Sequence, residues 1–341
     1  MLSLITGANG FIGSHLTHFL IKQGEQVRVL VRPQSDVRSL SGLPVEFAYG
    51  DLRDAASLPP ALPGVKRLYH VAADYRLWAK SPQEIYESNV TGTRNLLAAA
   101  RQAGVERVLY TSSVATLVPP RPRVLPDETS HLHLKDMIGH YKRSKFLAEE
   151  VALEAARTGQ PVVIVNPTTP VGPGDWKPTP TGRIILDFLN GKMPAYVDTG
   201  LNFVAVEDVA KGHWLAAEQG QVGARYILGD RNLTLKELLQ ILSTLSGRPM
   251  PRVRLPHAIP YLAALADTVV SRLLNRPPHI PLEGVRLARH KMFVDSSKAC
   301  RELGFLPGPI EAALERAIRW YSENGYLKAP IQVRRARVCA A

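Results

Sequence analysis

The sequence predicts an α/β protein with a doubly wound parallel sheet and a second, smaller C-terminal lobe. Two observations lead to this fold class. Short apolar runs alternate with amphipathic segments through the first half of the chain, and three glycines spaced three apart follow the first apolar run. The alternation indicates consecutive βαβ units, whose right-handed crossovers build a parallel sheet.

The predicted elements follow one another in regular order from the N-terminus. Strands are predicted at 2–6, 26–32, 44–52, 65–73, 106–113 and 161–167. Amphipathic helices are predicted at 10–24, 84–104 and 141–159. Gly24, Gly104 and Gly159 stand where these helices should end, because glycine readily adopts the left-handed conformation of a helix C-terminus.

The regular alternation stops after about residue 168. The segment "PTTPVGPGDWKPTPTG" is rich in Pro and Gly and predicts a loop. Further helices are predicted at 234–247, 258–274, 282–291 and 308–325. We therefore expect a nucleotide-binding domain over 1–167, to which later segments return, a substrate lobe over 168–328, and a disordered basic tail over 329–341.

Composition narrows the functional classes. Of 341 residues, 45% are hydrophobic and 21% are charged, which is typical of a globular protein. There is no run of 18 apolar residues and no export signal, and the two cysteines, Cys300 and Cys339, do not suggest a disulfide framework. These features favour a cytoplasmic protein. His131, His133 and His140 have no ligand-like companions, so no metal site is predicted.

The net charge of +12 indicates an anionic partner. Nucleic acid is not expected, because the chain has no zinc-ligand spacing, RNA-recognition signature or compact basic helix. A phosphate-bearing cofactor or substrate accounts for the charge more simply. The apolar helix near 261–274 lies beside several arginines. Packing against the sheet is the favoured interpretation of this helix, and peripheral membrane contact is the alternative.

The stretch "GANGFIG" predicts a dinucleotide-binding turn. Gly7 suits a sharp turn after the strand, Gly10 lets a pyrophosphate approach the backbone, and Gly13 lets the helix pack closely on the strand. The helix N-terminus then presents free N–H groups to an anion. The predicted cofactor contacts here are Gly7, Asn9, Gly10, Phe11, Ile12 and Gly13. The domain is thus predicted to be of the Rossmann type.

The end of the second strand predicts which cofactor is bound. An acidic residue there would bind the ribose 2′-hydroxyl of NAD, but this chain has Arg32. An arginine pairs well with a 2′-phosphate, so NADP(H) is favoured and NAD(H) is the alternative. Asp51 and Leu52, after the third strand, are expected to meet the adenine.

Tyr141 and Lys145 suggest the chemistry, because residues four apart share one face of a helix. A nearby ammonium and an oxidised nicotinamide would both favour a phenolate, so Tyr141 could exchange a proton with a substrate oxygen. Ser112 and Ser113 end the preceding strand at the carboxyl edge of the sheet, where ligands of such sheets bind. A hydroxyl there could polarise the substrate oxygen.

Taken together, these motifs resemble the extended short-chain dehydrogenases/reductases, which include the NAD-dependent epimerase/dehydratase group. "GDLRD", "HVAA", "NVTGT", "TSS", Y-x-x-x-K and "NPTTPVGPGD" carry the resemblance over about residues 1–328. The segment "VLVRPQS" is similar to the dihydroflavonol 4-reductase branch. "HVAADYRLW" and "PLEGVRLARHKMFVDSSKA" are closer still to bacterial hopanoid-associated sugar epimerases.

The resemblance implies roles for the matching positions, and it implies a possible homodimer formed by a pair of helices. Ser113, Tyr141 and Lys145 match the catalytic residues, and Asn89 matches an asparagine that supports them. Tyr141, Lys145, Ala72, Ala73 and Pro167 would contact the cofactor. Substrate contacts are expected from Asp74, Tyr75, Thr168, Trp176, Arg183 and Asn202, although Trp176 could equally be a packing residue.

Three functions remain open from the sequence. The first is an NADP-dependent reductase of a ketone or aldehyde, with a lipid or isoprenoid skeleton as one option. The second is a nucleotide-sugar epimerase with tightly bound NAD, whereas dehydration is disfavoured because Ser113 is followed by Val114 and Ala115. The third is a cofactor-sensing binding protein, which the presence of Tyr141 and Lys145 argues against.

Overall fold

The computed structural model describes residues 1–119, 124–274, 276–279, 281–331 and 333–334. Its strands are β1 Leu2–Thr6, β2 Gln26–Val31, β3 Val45–Tyr49, β4 Arg67–His70, β5 Arg107–Thr111, β6 Val162–Pro167, β7 Thr169–Val171, β8 Ala195–Val197, β9 Gly200–Ala205, β10 Arg225–Leu228, β11 Arg231–Thr234, β12 Val253–Leu255 and β13 Lys291–Met292. Its helices are α1 Phe11–Lys22, α2 Gln83–Tyr86, α3 Gly92–Gln102, α4 Gly139–Arg157, α5 Pro180–Leu189, α6 Val206–Gln219, α7 Leu235–Ser246, α8 Ala258–Leu273, α9 Leu282–Leu287, α10 Ser297–Leu303 and α11 Ile310–Glu323.

Seven parallel strands form the main sheet, in the order β3–β2–β1–β4–β5–β6–β10. The predicted parallel α/β fold and its first six strands are therefore confirmed. The seventh strand, β10, was not predicted, and it comes from the second half of the chain to pair with β6. The strand order reverses between β1 and β4, which places a ligand crevice at the carboxyl ends of these strands.

Both faces of the sheet are covered by helices. Alternate residues of β1 point to opposite sides, so Ile5 packs with α1 and α6 while Leu4 packs with α3 and α4. Both side chains are fully buried. Because each face is apolar, the strands read as continuous hydrophobic runs, which is typical of a parallel sheet between two helical layers.

The remaining elements form a third core. α5, α7 and α11 pack against β9, which pairs with β7, β11 and β13. The segment expected to be a loop after residue 167 contains β7 and the beginning of α5. β8 and β12 form a separate two-stranded sheet. The exact division between a nucleotide domain and a substrate lobe stays a prediction.

The chain ends differ in part from the prediction. Gly24, Gly104 and Gly159 have positive φ angles at the ends of their helices, as expected. The start of the tail is packed rather than disordered. Ile331 and Val333 lie against the third core, and the Arg334 amide donates to the Leu245 carbonyl. Residues 332 and 335–341 lie outside the described residues. Within the described part of the chain, no helix has the length and apolarity to span a membrane.

Candidate functional site

The glycine turn between β1 and α1 is too tight for side chains. Gly7 has φ +70°, and a Cβ on it would lie 2.7 Å from the backbone of Ala72. A Cβ on Gly13 would lie 2.1 Å from the Gly7 carbonyl oxygen. The strand, the helix and the end of β4 are therefore in direct backbone contact. This contact requires glycine at both positions.

The N-terminus of α1 is suited to an anion. Gly10 caps the helix without any side-chain hydrogen bond, and no acidic residue lies in the first turn, which begins at Phe11 and Ile12. The first N–H groups of a helix have no partner within the helix and carry a partial positive charge. The turn thus offers free donors with nothing to repel a phosphate, and it fits the pyrophosphate of a dinucleotide.

Next to this turn, the loop after β2 is held by Asn9 and carries an exposed arginine. The Asn9 side chain donates to the Asp36 carbonyl at 3.0 Å, and Ser39 donates to the Asn9 carbonyl at 3.2 Å. Arg32 is exposed at the end of β2. Within the described ranges, its guanidinium forms no hydrogen bond or ion pair. It is therefore available to a ligand.

Asp51 and Leu52 lie after β3, on the same edge of the sheet. Arg53 forms an ion pair with Asp51 at 2.6 Å, and this hydrogen-bonded pairing lowers the pKa of Asp51. The Leu52 carbonyl accepts from the side chain of Asn95 at 2.9 Å, which fixes it beside α3. Of the two alanines after β4, Ala72 contacts Gly7 and Ala73 is exposed.

Ser113 and Tyr141 meet at the carboxyl edge of the sheet. Ser113 follows β5, and Tyr141 lies in the first turn of α4. Burial raises the pKa of Tyr141, and a hydrogen bond with the Ser113 hydroxyl partly opposes that shift. The phenol of the chain by itself is therefore protonated at neutral pH. The expected phenolate depends on the positive nicotinamide of a bound oxidised cofactor as well, so it stays a prediction.

The backbone of Ser113 is held by a buried polar cluster. Its carbonyl accepts from Thr116 at 2.8 Å and from the Asn166 side chain at 3.1 Å. The Asn166 side chain also donates to the Glu149 carboxylate on α4, and the Thr116 hydroxyl lies within hydrogen-bond distance of the same carboxylate. These bonds fix the end of β5 relative to the helix that carries Tyr141.

Lys145 lies one turn after Tyr141 and is fully enclosed. Its ammonium donates to the Thr111 carbonyl at 2.7 Å and to the Tyr110 hydroxyl at 3.1 Å. Burial lowers the pKa of Lys145 to about 7, although the charge of Glu149 opposes this. Lys145 is therefore anchored to β5.

Asn89 links two parts of the site. It lies in a π-helical turn, Glu87–Thr91, between α2 and α3. Its side chain donates to Ser144 on α4 at 2.9 Å and exchanges two bonds with the backbone of Asp74. π-turns inside helices occur often at functional sites. Here the turn places the Asn89 amide between α4 and the segment after β4.

The predicted substrate residues fall into two groups. Tyr75 and Arg183 are both exposed, and they are near enough for the charge of Arg183 to influence the pKa of Tyr75. Thr168 is half-buried after β6, beside Pro167. The Asp74 carboxylate is already paired with Arg76 at 2.6 Å. Tyr75 and Arg183 remain available for contacts, whereas the Thr168 hydroxyl donates to the Leu228 carbonyl at 3.3 Å and the charge of Asp74 is neutralised.

Asn202 and Trp176 are instead engaged by other residues of the protein. Asn202 is buried, donates to Asn232 at 2.9 Å and accepts from the Asp230 amide at 3.0 Å. The structure thus argues against Asn202 as a substrate contact. The Trp176 ring packs at right angles on Trp320, with ring centroids 5.0 Å apart. Its packing interpretation is the one that the structure favours.

His70 and His140 are each held by hydrogen bonds to other side chains. His70, at the end of β4, hydrogen-bonds with Thr6 at 2.8 Å and Thr93 at 2.9 Å, and burial lowers its pKa to about 3. It is a neutral core residue. His140 lies against Tyr86 at 3.2 Å. Among the described residues there is no cluster of potential metal ligands.

Two residues of the site were missed from the sequence. Tyr110 supplies the hydroxyl that Lys145 contacts, and only the strand register reveals that it faces α4. Glu283, from α9, accepts a hydrogen bond from the His140 amide at the start of α4. Burial raises the pKa of Glu283 to about 7, against the opposing effect of bonds from the His140 and Tyr141 amides. No local sequence signal indicates this distant contact.

A comparison with protein families now identifies the chain. Residues 3–229 match the model of the NAD dependent epimerase/dehydratase family. The chain belongs to this family. It is an NAD(P)-dependent enzyme of the extended short-chain dehydrogenase/reductase type, as its motifs suggested.

The relatives of the chain are named for different activities. A protein of Synechocystis sp. called "Putative dihydroflavonol 4-reductase" is 46% identical over 95% of both chains. The sterol demethylase protein B of Methylococcus capsulatus is 41% identical over 96% of this chain and 100% of that protein. A crystal structure of a nucleoside-diphosphate-sugar epimerase from Pseudomonas aeruginosa is 30% identical, with a TM-score of 0.80 over 96% of this chain and 99% of the other.

Replacing Gly13→Ala should destabilise the fold. The new methyl group would lie within 2.1 Å of the Gly7 carbonyl oxygen, so the helix must move away from β1. We expect the free energy of unfolding, measured with urea, to fall by roughly 2–4 kcal/mol. Gly308→Ala is the control, because its nearest contact would be an ordinary 3.7 Å. Equal stability of the two variants would contradict the described contact.

Glu283 should make stability pH-dependent. Its pKa is raised from 4.5 to about 7, so the folded chain binds more protons than the unfolded chain between these values. The contribution of Glu283 to the free energy of unfolding therefore decreases as pH rises through this window and stays constant above it. Glu283→Gln removes this term while keeping an acceptor oxygen. Its stability relative to the native protein should rise from pH 4.5 to pH 7, as measured by urea unfolding.

The control for this experiment is Glu150→Gln, which removes a carboxylate from an exposed position on α4. Its stability difference from the native protein should not show the same rise. A flat difference for Glu283→Gln across the window would contradict the burial of the Glu283 carboxyl.

Proposed function

We propose that the chain reduces a carbonyl group to an alcohol, with Tyr141 as the proton donor and NADPH as the preferred cofactor. One observation carries the proposal, namely that the Ser113 hydroxyl after β5 and the Tyr141 phenol of α4 lie close together at the carboxyl edge of the sheet. When bound, a reduced nicotinamide supplies hydride to the carbonyl carbon. The residues of the chain must then supply a proton to the carbonyl oxygen.

The protonation state of Tyr141 supports the reductive direction. Because burial raises its pKa, the phenol carries its proton at neutral pH and can donate it to an oxygen that gains charge. The Ser113 hydroxyl lies against the phenol and can donate a second hydrogen bond to the same oxygen. It would thereby polarise the carbonyl and stabilise the developing negative charge.

Lys145 and Asn89 hold α4, the helix that carries Tyr141, in position. The ammonium of Lys145, between Tyr110 and the Thr111 carbonyl, holds the second turn of α4 against β5. Its pKa of about 7 means that a negative group nearby favours its charged form. When Tyr141 gives up its proton and becomes a phenolate, a protonated Lys145 can therefore compensate for the negative charge. Asn89 positions α4 through Ser144 and does not itself contact the hydroxyl pair.

The preference for NADPH rests on Arg32. This arginine is exposed at the end of β2, where the ribose of a dinucleotide is expected, and its guanidinium has no partner among the described residues. A guanidinium forms two charge-assisted hydrogen bonds with a phosphate, whereas it forms only a weaker neutral-acceptor hydrogen bond with a 2′-hydroxyl. Asp51, the nearby carboxylate after β3, is paired with Arg53 and so does not repel a 2′-phosphate strongly.

The substrate we propose is a ketone or aldehyde on an apolar skeleton. Two relatives above 40% identity are named as a putative dihydroflavonol 4-reductase and a sterol demethylase protein, and both names contain that of a polycyclic skeleton. The exposed Tyr75 ring, beside Arg183, is suited to stacking on such a skeleton.

A second candidate is the epimerisation of a nucleotide sugar with permanently bound NAD. The solved structure named as a nucleoside-diphosphate-sugar epimerase, at 30% identity and with a TM-score of 0.80, favours it. That reaction begins with proton removal from a hydroxyl, and Tyr141 would need to start as a base. The raised pKa of Tyr141 makes this the less favourable starting state in the chain alone.

The state of the purified protein distinguishes the two candidates. We expect the protein to be isolated without a bound cofactor, to bind added NADPH and to oxidise it when apolar ketones or aldehydes are supplied. Absorbance at 340 nm and release of nucleotide by acid are the measurements. Stoichiometric NAD released from freshly purified protein, with no turnover of added NADPH, would favour the epimerase instead.

Tyr141→Phe should abolish turnover without preventing cofactor binding. Loss of the proton donor removes general acid catalysis, which is worth roughly 10²–10⁴-fold in rate. The Kd for NADPH, measured by fluorescence, should change less than about twofold if the phenol acts only in the chemical step. Tyr49→Phe, at an exposed position on edge strand β3, is the control. Persistence of native turnover in Tyr141→Phe would disprove the acid role.

Arg32→Ala should weaken NADPH binding selectively. A charge-assisted hydrogen bond contributes about 1.5–3 kcal/mol, so the KM for NADPH should rise roughly 10–150-fold. The KM for NADH should stay nearly constant. Arg157→Ala removes the same charge from the exposed far end of α4 and serves as the control. Equal effects on NADPH and NADH would show that Arg32 does not contact the 2′-phosphate.

A further inference from the structure

Helix α8, Ala258–Leu273, exposes large apolar side chains and buries small or polar ones. Its buried positions include Ala264, at 0% exposure, and Ser271, at 4%. Large apolar side chains cover its outer side, and Leu273 is 81% exposed. The exposed apolar residues are Ile259, Leu262, Leu265, Val269, Val270, Leu273 and Leu274. A surface helix of a globular protein normally shows the opposite arrangement. We call this surface the α8 apolar face.

The one described charged side chain of α8 points away from this face. Asp267 is 13% exposed and forms an ion pair with Arg276 at 3.0 Å. Ser271 donates to the same carboxylate at 3.4 Å. The Asp267 charge is thus neutralised beneath the helix, on the side away from the α8 apolar face. Such a patch marks an interaction site in a soluble fold.

A basic cavity lies directly beside the α8 apolar face. Its volume is about 400 Å³, and Tyr261 of α8 forms part of its wall. The basic residues that line it are Lys135, Arg143, Arg286, Arg289 and His290. Arg289 stacks over the Tyr261 ring at 4.8 Å. No described residue of the lining is acidic, and the neighbouring Glu283 is directed at the amides of α4.

We propose that α8 lies in the interface of an anionic lipid bilayer, with its apolar face among the acyl chains and the basic cavity facing lipid phosphates. Helices with an apolar face and neighbouring cations bind such surfaces through burial and charge together. This proposal does not depend on the reaction proposed above. It would place the catalytic helix α4, whose first residues line the cavity, next to the membrane surface.

The charges favour lipid over a second copy of the chain. A second copy of the chain carries the same net charge of +12, which repels the cations of the cavity. Anionic lipid neutralises the same cations. A bilayer therefore covers the α8 apolar face with acyl chains and neutralises the basic cavity with lipid phosphates.

Vesicle flotation tests the proposal on the full-length protein. At 0.1 M salt, the native protein should float with vesicles of phosphatidylglycerol and phosphatidylcholine, and at least tenfold less with phosphatidylcholine alone. Val269→Glu/Leu273→Glu should weaken binding by at least about 30-fold, because it places two charges in the apolar face. Val222→Glu/Leu306→Glu changes equally exposed residues elsewhere and is the matched control.

A second pair of variants tests the charge component. Arg286→Ala/Arg289→Ala should reduce binding to the anionic vesicles roughly 5–30-fold and leave thermal unfolding of the free protein nearly unchanged. Failure of the native protein to float with anionic vesicles would overturn the proposal. So would equal binding losses in the α8 variant and its control. A dimer in light scattering that only Val269→Glu/Leu273→Glu dissociates, with vesicle binding intact, would show instead that α8 pairs two copies.

Discussion

The backbone contact between Gly13 and the Gly7 carbonyl determines how the rest of the site is arranged. It brings α1 onto β1 so closely that the helix N-terminus lies at the carboxyl edge of the sheet. Gly7 in turn contacts Ala72 after β4, so the first and fourth strands end together. Any side chain at either glycine would separate these elements. The anion-binding amides would then no longer lie beside the strand ends that carry the chemistry.

The second half of the site is organised by burying a cation. Lys145 is enclosed between α4 and β5, where a charge is costly, and its pKa falls to about 7 as a consequence. The Thr111 carbonyl and the Tyr110 hydroxyl compensate for part of that cost. The helix is thus fixed at the position where its first turn meets Ser113. The same hydrogen bonds therefore stabilise the fold and position the reactive groups.

Much of the fold could be predicted because its signals are local. Six strands, the glycine turn and the Ser113, Tyr141 and Lys145 set each occupy short segments with a clear periodicity. β10 was missed because a four-residue strand far along the chain has no local feature that assigns it to the first sheet. The Glu283 contact with α4 joins residues that are 143 positions apart. Asn202 was expected to be a substrate contact, and only its burial and its two hydrogen-bond partners argue against that role.

The position of β10 has a consequence for how the protein is made. The first six strands are complete when residue 167 has been synthesised, but β6 then presents an unpaired edge until residues 225–228 arrive. An exposed edge of a parallel sheet, rich in valine and isoleucine, readily pairs with other chains. The nascent N-terminal half is therefore most prone to aggregate during the synthesis of the intervening segment. A product cut after β6 should be hard to obtain as a monomer.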